Sequence, residues 1–254
     1  MGKDAGVRGL HEGAERGKAM EIRCYRLRDA VNRMIRFMLE LGFVAENVWI
    51  VGREDWLTLY AGFDKAEYYE AIPVVGGFNF EAKISLEEIL HLPDNNRCAI
   101  ADEGNEIQII SIDAIIRVPK GDYGITLPNV DSERNWHIPI SDLRCMAKAI
   151  GNEGICFLDG NPDRTYLIGV SRDRATKIEY SQEFCHHRPL AIPSDIIRAI
   201  CEIFPAGAFE GEIVFNLGYG NSRMNIIQSE IICSYSIPDE EVIKHRELLE
   251  RFGK

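Results

Sequence analysis

The chain has 254 residues, 46% of them apolar and 27% charged, enough apolar material for one large core or for two domains of roughly 120 residues. Its 29 Lys and Arg face 40 Asp and Glu, a formal charge of −11, which argues against indiscriminate adhesion to nucleic acid but allows a locally basic surface. No apolar run reaches membrane-spanning length and the start lacks a secretory apolar core, so the expectation is a soluble cytoplasmic protein that does not engage a membrane.

Residues 1–19 are rich in Gly, Ala and charge and read as a flexible extension, with Met20 as a natural start. Gly6, Gly9 and Gly13 have no apolar strand before them and no Gly-Lys-Ser/Thr after them, so they do not form a phosphate loop. Ile22 and Cys24 begin a strand. Leu27, Val31, Met34, Ile35, Met38 and Leu39 then recur at helical spacing between Arg28, Arg33 and Arg36, and Gly42 is placed to stop the helix. Strands are expected at 48–51 and 56–60, a hairpin about residues 52–55, and at 68–75 and 78–84 around Gly76 and Gly77. Ser85 precedes a short helix carrying Leu86, Ile89 and Leu90. Further strands follow at 98–101 and over the long apolar stretch 107–118.

Residues 119–135 hold Lys120, Gly121, Asp122, Pro128 and a charged run at 131–134, a composition suited to an interdomain connector; Ile125, Thr126 and Leu127 could add an edge strand to it. Beyond it the order repeats. Trp136, Ile138 and Pro139 lead into a helix with Leu143, Met146, Ala147 and Ile150 on one side and Arg144 and Lys148 on the other, Ser141 or Asp142 serving as cap. Strands at 154–158, 165–170 and 176–180 follow. Leu190, Ala191, Ile192 and Pro193 then lead through Ser194 and Asp195 into Ile196, Ile197, Ile200 and Phe204, with Arg198 opposite. Strands at 212–217, 224–228 and 231–237 close the second half, and 239–254 is a tail or short helix. The expected fold is α+β and duplicated, a domain at 20–118 and a second at 136–238, each with two helices packed on antiparallel sheets.

Little in the chain looks catalytic. There is no nucleophile elbow and no His-Glu-x-x-His, so no enzyme, no cofactor and no metal is expected. The seven cysteines are scattered singly and read as reduced, buried thiols. Cys185 with His186 and His187 is the sharpest alternative, as a zinc site, and Asp159, Asp163 and Asp173 the next; loop histidines and solvated turns are the preferred accounts. The basic residues on the helix backs are more informative. Gathered on one face, they would attract a phosphate backbone without reading bases, although Glu87 and Glu88 on the second helix oppose this.

The repeated phrase at 136–139 and 190–195, the later runs Gly211 to Phe215 and Met224 to Ile227, and the ending Cys233 to Pro238 resemble a DNA sliding clamp of the bacterial beta and phage type, over most of residues 20–240. That resemblance implies sliding-clamp domains whose helices line a ring around duplex DNA and whose sheets face outward. Two domains per chain imply a homotrimer, because six domains close the ring. The function implied is that of a polymerase processivity factor. Arg28, Arg33, Arg36, Arg144, Lys148 and Arg198 would face DNA, without sequence specificity. A DNA polymerase and a clamp loader would dock short linear peptides near Ile125, Leu127, Pro128, Tyr235, Ile237 and Pro238. A clamp-fold scaffold that binds proteins without encircling DNA is the alternative, and an enzyme of unrecognised class the third.

Overall fold

The computed structural model describes residues 19–252 apart from 64, 94–96, 127, 129, 131–133, 173, 205–210 and 219–221; the expected extension at 1–19 thus lies, but for Ala19, outside the described residues. In chain order the elements are β1 (Ala19–Arg23), α1 (Cys24–Glu40), β2 (Asn47–Arg53), β3 (Trp56–Phe63), β4 (Ala66–Pro73), β5 (Phe80–Ser85), α2 (Leu86–Leu90), β6 (Arg97–Asp102), β7 (Glu106–Ile110) and β8 (Ile115–Pro119). The second series is β9 (Asn135–Pro139), α3 (Ile140–Ile150), β10 (Ile155–Asn161), β11 (Arg164–Val170), β12 (Ala175–Tyr180), β13 (Leu190–Pro193), α4 (Ser194–Ile203), β14 (Glu212–Leu217), β15 (Arg223–Gln228) and β16 (Ile231–Ser236), followed by α5 (Asp239–Lys244) and α6 (Arg246–Phe252). One strand, a helix, four strands, a helix and three strands are thus written twice.

The duplication extends to hydrogen-bonded pairing. β1-β6-β7-β8 in the first series corresponds to β9-β14-β15-β16 in the second, all antiparallel. Counted back from the helix that follows, Ile22 opposite Cys98 matches Ile138 opposite Ile213, and Met20 opposite Ile100 matches Trp136 opposite Phe215. The same counting aligns Val48 opposite Ile84 with Cys156 opposite Ile192.

By its contacts the chain forms two compact units, Met1–Asp29, Asn47–Thr58 and Ile72–Ile125 in one, Ala30–Glu46, Leu59–Ala71 and Thr126–Lys254 in the other. These limits cut through α1, β3 and β4. In the second unit β4 pairs antiparallel with β16, Tyr68 opposite Cys233 and Glu70 opposite Ile231, which binds β4 to the later half of the chain.

In the first unit Met20, Ile100, Ile109 and Ile116 oppose one another in turn across β1, β6, β7 and β8 and are buried together, as strand alternation requires. The stretch expected as one strand at 107–118 is instead the hairpin β7–β8. Ser111 and Ala114 close its turn, the Ser111 amide donating to the Ala114 carbonyl at 2.8 Å and the Ala114 amide to Ser111 Oγ at 3.1 Å. α2 has five residues, which take in Leu86, Ile89 and Leu90. No strand forms at Ile125 and Thr126, and Leu127 lies outside the described residues. The reading of all cysteines as reduced and buried is also corrected. Cys24 and Cys98 form a disulfide, their Cα atoms 5.7 Å apart, because β1 opposite β6 carries the start of α1 onto Cys98 across 74 residues of sequence.

In the second unit α3 and α4 pack on each other, and α3 lies on the sheet β12-β11-β10-β13. Leu143, Met146 and Ile150 of α3 are buried, and Gly169 on β11 lets them come close, since a side chain there would collide with Met146 and Ile150. The serines do not cap the helices. Pro139 and Pro193 occupy the cap positions with φ near −58° and −57°, and the Ile140 amide donates to the Gly211 carbonyl at 3.0 Å, so the strand ladder itself satisfies a first-turn donor. Ser194 Oγ instead donates to the Asn152 carbonyl at 3.0 Å. α1 ends at Gly42, where φ is +77°; the Gly42 amide donates to the Leu39 carbonyl and the Phe43 amide to that of Met38, a helix stop that favours glycine. Both α5 and α6 form, and Leu249 is buried among Phe157, Tyr166, Ile168 and Ala191. Among the described residues no helix is long and apolar enough to cross a membrane.

Candidate nucleic-acid interface

The solvent side of α1 follows from its burial pattern. Leu27, Ala30, Val31, Met34, Phe37 and Met38 are buried, so Tyr25, Asp29, Asn32 and Arg36, at the complementary helical spacing, are exposed along with Arg26. Leu39, expected in the apolar stripe, is 56% exposed. Arg33 lies between the two faces. Its Nε donates to Glu70 Oε2 at 3.2 Å, and Nη2 contacts Oε1 of the same buried carboxylate. Arg28 is half-buried and engaged by neighbours.

On α3 the exposed side carries Ser141, Cys145, Lys148 and Ala149. Lys148 sits in the last turn, where a cation suits the helix dipole. Arg144 turns inward and donates through Nη2 to the carbonyl of Phe204, the residue that ends α4. Arg198 is likewise occupied: Nη1 donates to Asn152 Oδ1 at 2.7 Å and Nε lies 3.5 Å from Glu40 Oε2. α4 is otherwise buried but for Glu202, which is exposed, and the half-buried Asp195 and Cys201.

Of the six cations expected to face DNA, Arg36 and Lys148 are thus exposed, whereas Arg33, Arg144 and Arg198 are held by protein groups. Arg26, absent from that set, is exposed because α1 begins at Cys24, one turn earlier than the apolar stripe suggests; the spacing of Tyr25, Asp29, Asn32 and Arg36 carries that signal. Arg23 and Arg26 flank Tyr25, and hydrogen bonding to Arg26 and then to Arg23 draws the Tyr25 hydroxyl below its usual pKa. Asp29 on α1, Glu87 and Glu88 on α2 and Glu202 on α4 are also exposed, so the solvent faces of the helices carry no large cationic excess.

The residues expected to bind peptides divide similarly. Tyr235 is 2% exposed and donates to the Ala191 carbonyl at 3.2 Å, which makes it a core side chain. Ile237 is also buried. Ile125, Pro128 and Pro238 are half-buried, and Leu127 lies outside the described residues. The His186 and His187 rings lie 4.5 Å apart, tilted by 41°, with His186 Nδ1 donating to the Arg188 carbonyl at 2.8 Å, while Cys185 is exposed. Among the described residues no group of three or more His, Cys, Asp or Glu is arranged to hold a metal ion; Asp173 is not among them.

No protein-family model and no curated protein matches the sequence. Solved structures do. The DNA polymerase III subunit beta sliding clamp of Pseudomonas aeruginosa, bound to griselimycin, superposes with a TM-score of 0.67 at 13% identity, over 88% of this chain and 65% of that one. The corresponding clamp of Bartonella birtlesii gives 0.67 at 15% identity over 87% and 65%. The Helicobacter pylori beta clamp bound to a DNA ligase peptide gives 0.67 at 12% identity over 87% and 65%. The chain spans about two thirds of the length of these structures. It has the sliding-clamp fold, α+β with antiparallel sheets and few helices, as the sequence resemblance implies.

Proposed function

We propose that the protein is a cytoplasmic processivity clamp, a ring of three copies that encircles duplex DNA and tethers replication proteins without chemistry of its own. The observation that carries this reading is the duplicated pairing. β4 of the first series is joined to β16 of the second, while their counterparts, β12 and β8, each have a single hydrogen-bonded neighbour strand among the described residues. Repeating the β4–β16 junction between copies pairs β12 of one with β8 of the next, head to tail. Such an interface closes into a ring when the rotation allows. Two repeats per chain and six per ring give three copies.

In this reading 20–118 and 136–238 are the clamp domains joined by 119–135, and the exposed faces of the helices line the hole. Arg26, Arg36 and Lys148 make the phosphate contacts. Arg28, Arg33, Arg144 and Arg198 shape the helices and contribute field at a distance. The ring supplies retention by topology, so weak and sequence-independent attraction suffices. The proposed partners are a polymerase and a clamp loader, each presenting a short linear peptide; Pro128 and Pro238 are its proposed contacts. The test is mass and shape together. A particle of about 86 kDa, three times 28.8 kDa, with a central hole in electron-microscopy averages is expected, and a monomer at all reachable concentrations sinks the ring.

The near balance of charge on the helix faces favours a second reading, a clamp-fold scaffold that gathers proteins and never encircles DNA. A ring with no retention on closed circular DNA in the presence of its loader would select it.

A further inference from the structure

α5 and α6 stand outside the duplicated order, and what they cover has no match in the first series. Phe157 on β10 opposes Ala191 on β13, and both are fully buried. The matching pair, Trp49 opposite Lys83, is half-buried and exposed, with the lysine Nζ 5.4 Å from the indole centroid. Asn47 stands where the second series has Ile155. One face is thus built for water and the other for a cover. On β11, Tyr166, Ile168 and Val170 extend the apolar face, with Leu249 seated on it and Val242 and Leu248 packed beside it.

The cover is lightly held. α5 has no buried residue, and in α6 Leu249 is the one buried side chain among the described residues. An open cleft of about 470 Å3 runs along it, lined by Asp159, His187, Arg188, Val242, Ile243 and Leu249 among others. At its rim Arg188 Nη1 meets Asp239 of α5 at 3.2 Å, both side chains well exposed, and the buried Arg188 Nε has no hydrogen-bond partner among the described residues. Such an exposed ion pair holds the cover only weakly.

We propose that α5–α6 is a displaceable cover on an apolar docking face made by β10, β11 and β13, and that its replacement is a partner's short amphipathic helix led by an acidic residue. The tail itself shows the chemistry that fits: Asp239 for Arg188, then Val242 and Leu249 for the apolar face. A partner segment with bulkier apolar side chains fills the cleft that the tail leaves open, and so competes with a cover that has the advantage of being tethered. The proposal does not depend on DNA encirclement.

The probe is a fluorescent synthetic peptide of residues 238–252 added to the full-length protein. Leu249→Asp in the full chain should release the cover and bind the peptide about tenfold tighter than the unaltered chain, and adding Arg188→Ala should remove most of the gain. Equal binding by the unaltered and Leu249→Asp chains, both folded by circular dichroism, would overturn the proposal. Hydrogen exchange on the unaltered chain decides the matter if Leu249→Asp does not fold. Amides of 239–252 should exchange about tenfold or more faster than those of β10 and β11; equal protection, the mark of one cooperative unit, overturns the proposal.

Discussion

The Arg33 guanidinium on α1 makes a two-point contact with the Glu70 carboxylate on β4, and Tyr68 donates its hydroxyl to Oε2 of the same carboxylate at 2.5 Å. Glu70 is 5% exposed and Tyr68 fully buried, and burial pushes the Tyr68 hydroxyl well above its usual pKa. A carboxylate so placed needs its cation. Arg33→Ala should therefore cost about 3 kcal/mol in chemical denaturation, the lower end for a broken buried pair because the arginine side chain is 34% exposed. Arg36→Ala, on the exposed face, should stay within about 0.5 kcal/mol. Equal costs for the two would remove the distinction between a structural and a surface arginine.

That distinction also marks what the sequence could convey. Arg33 and Arg36 both fall beside the apolar stripe of α1, and the difference between them is Glu70, 37 residues away. Local periodicity carries no trace of it. Likewise Cys24 meets Cys98 through strand pairing, and Tyr235 looks like a surface aromatic until Ala191 is placed beside its hydroxyl. The repeated order, by contrast, was legible because it rests on local features: an apolar strand running through Pro139 or Pro193 into a helix, and a glycine at Gly42 where φ is positive. The role of the tail was not legible, since Val242 and Leu249 acquire meaning only against Phe157 and Ile168.

The thiols should label in an order set by exposure and burial. Cys145 is exposed on α3 and should react first, followed by the exposed Cys185, whose pKa burial and then Glu183 raise. Cys201, pushed up to about 11 by burial, should be slow. Cys156 and Cys233, buried and raised further, should react only on unfolding, and Cys24 and Cys98 only after reduction. Rapid labelling of Cys156 in the native chain would contradict the packing of β10.

Asp159 gives the second unit a pH dependence of definite sign. Burial raises its pKa, and the Gly160 amide, donating at 2.8 Å, and Lys177 only partly oppose this. Because the folded value lies above the unfolded one, the contribution is fully present below the unfolded carboxylate pKa of about 3.9. It is lost as pH rises through the folded value. Asp159→Asn keeps an acceptor for Gly160 and should be more stable than the parent at neutral pH, the two converging toward pH 4 in thermal melts. A variant less stable at neutral pH would reverse the sign.

β8 carries the assembly prediction. Ile115 on it is 60% exposed, an unusual place for a large apolar side chain on an open sheet edge. Ile115→Asp should leave the melting of the chain nearly unchanged and convert the proposed trimer to monomers in light scattering. A trimer that survives the change would mean that copies meet elsewhere.

The last prediction concerns how weakly the proposed ring would hold DNA. Arg26, Arg36 and Lys148 are exposed on α1 and α3, and Asp29 on α1, Glu87 and Glu88 on α2 and Glu202 on α4 are exposed as well. Phosphate attraction should therefore be modest, and neutralising any one of the three cations should lower the salt slope by about 0.9. Arg26→Ala, Arg36→Ala and Lys148→Ala together should weaken binding equally across base sequences, because backbone attraction carries no sequence information. Arg144→Ala should act through the end of α4, reducing stability with little change in slope, since its guanidinium is committed to Phe204. Topology should then separate from attraction. On closed circular DNA, with a loader present, the triple variant should still be retained once assembled, whereas on linear DNA it should leave by the ends faster than the parent. Cys145, three residues before Lys148 and exposed beside it, reports the same event, for it should label more slowly when the ring is threaded. Equal retention on circular and linear DNA, with Cys145 labelling unchanged by either, would exclude encirclement and leave the scaffold reading in place.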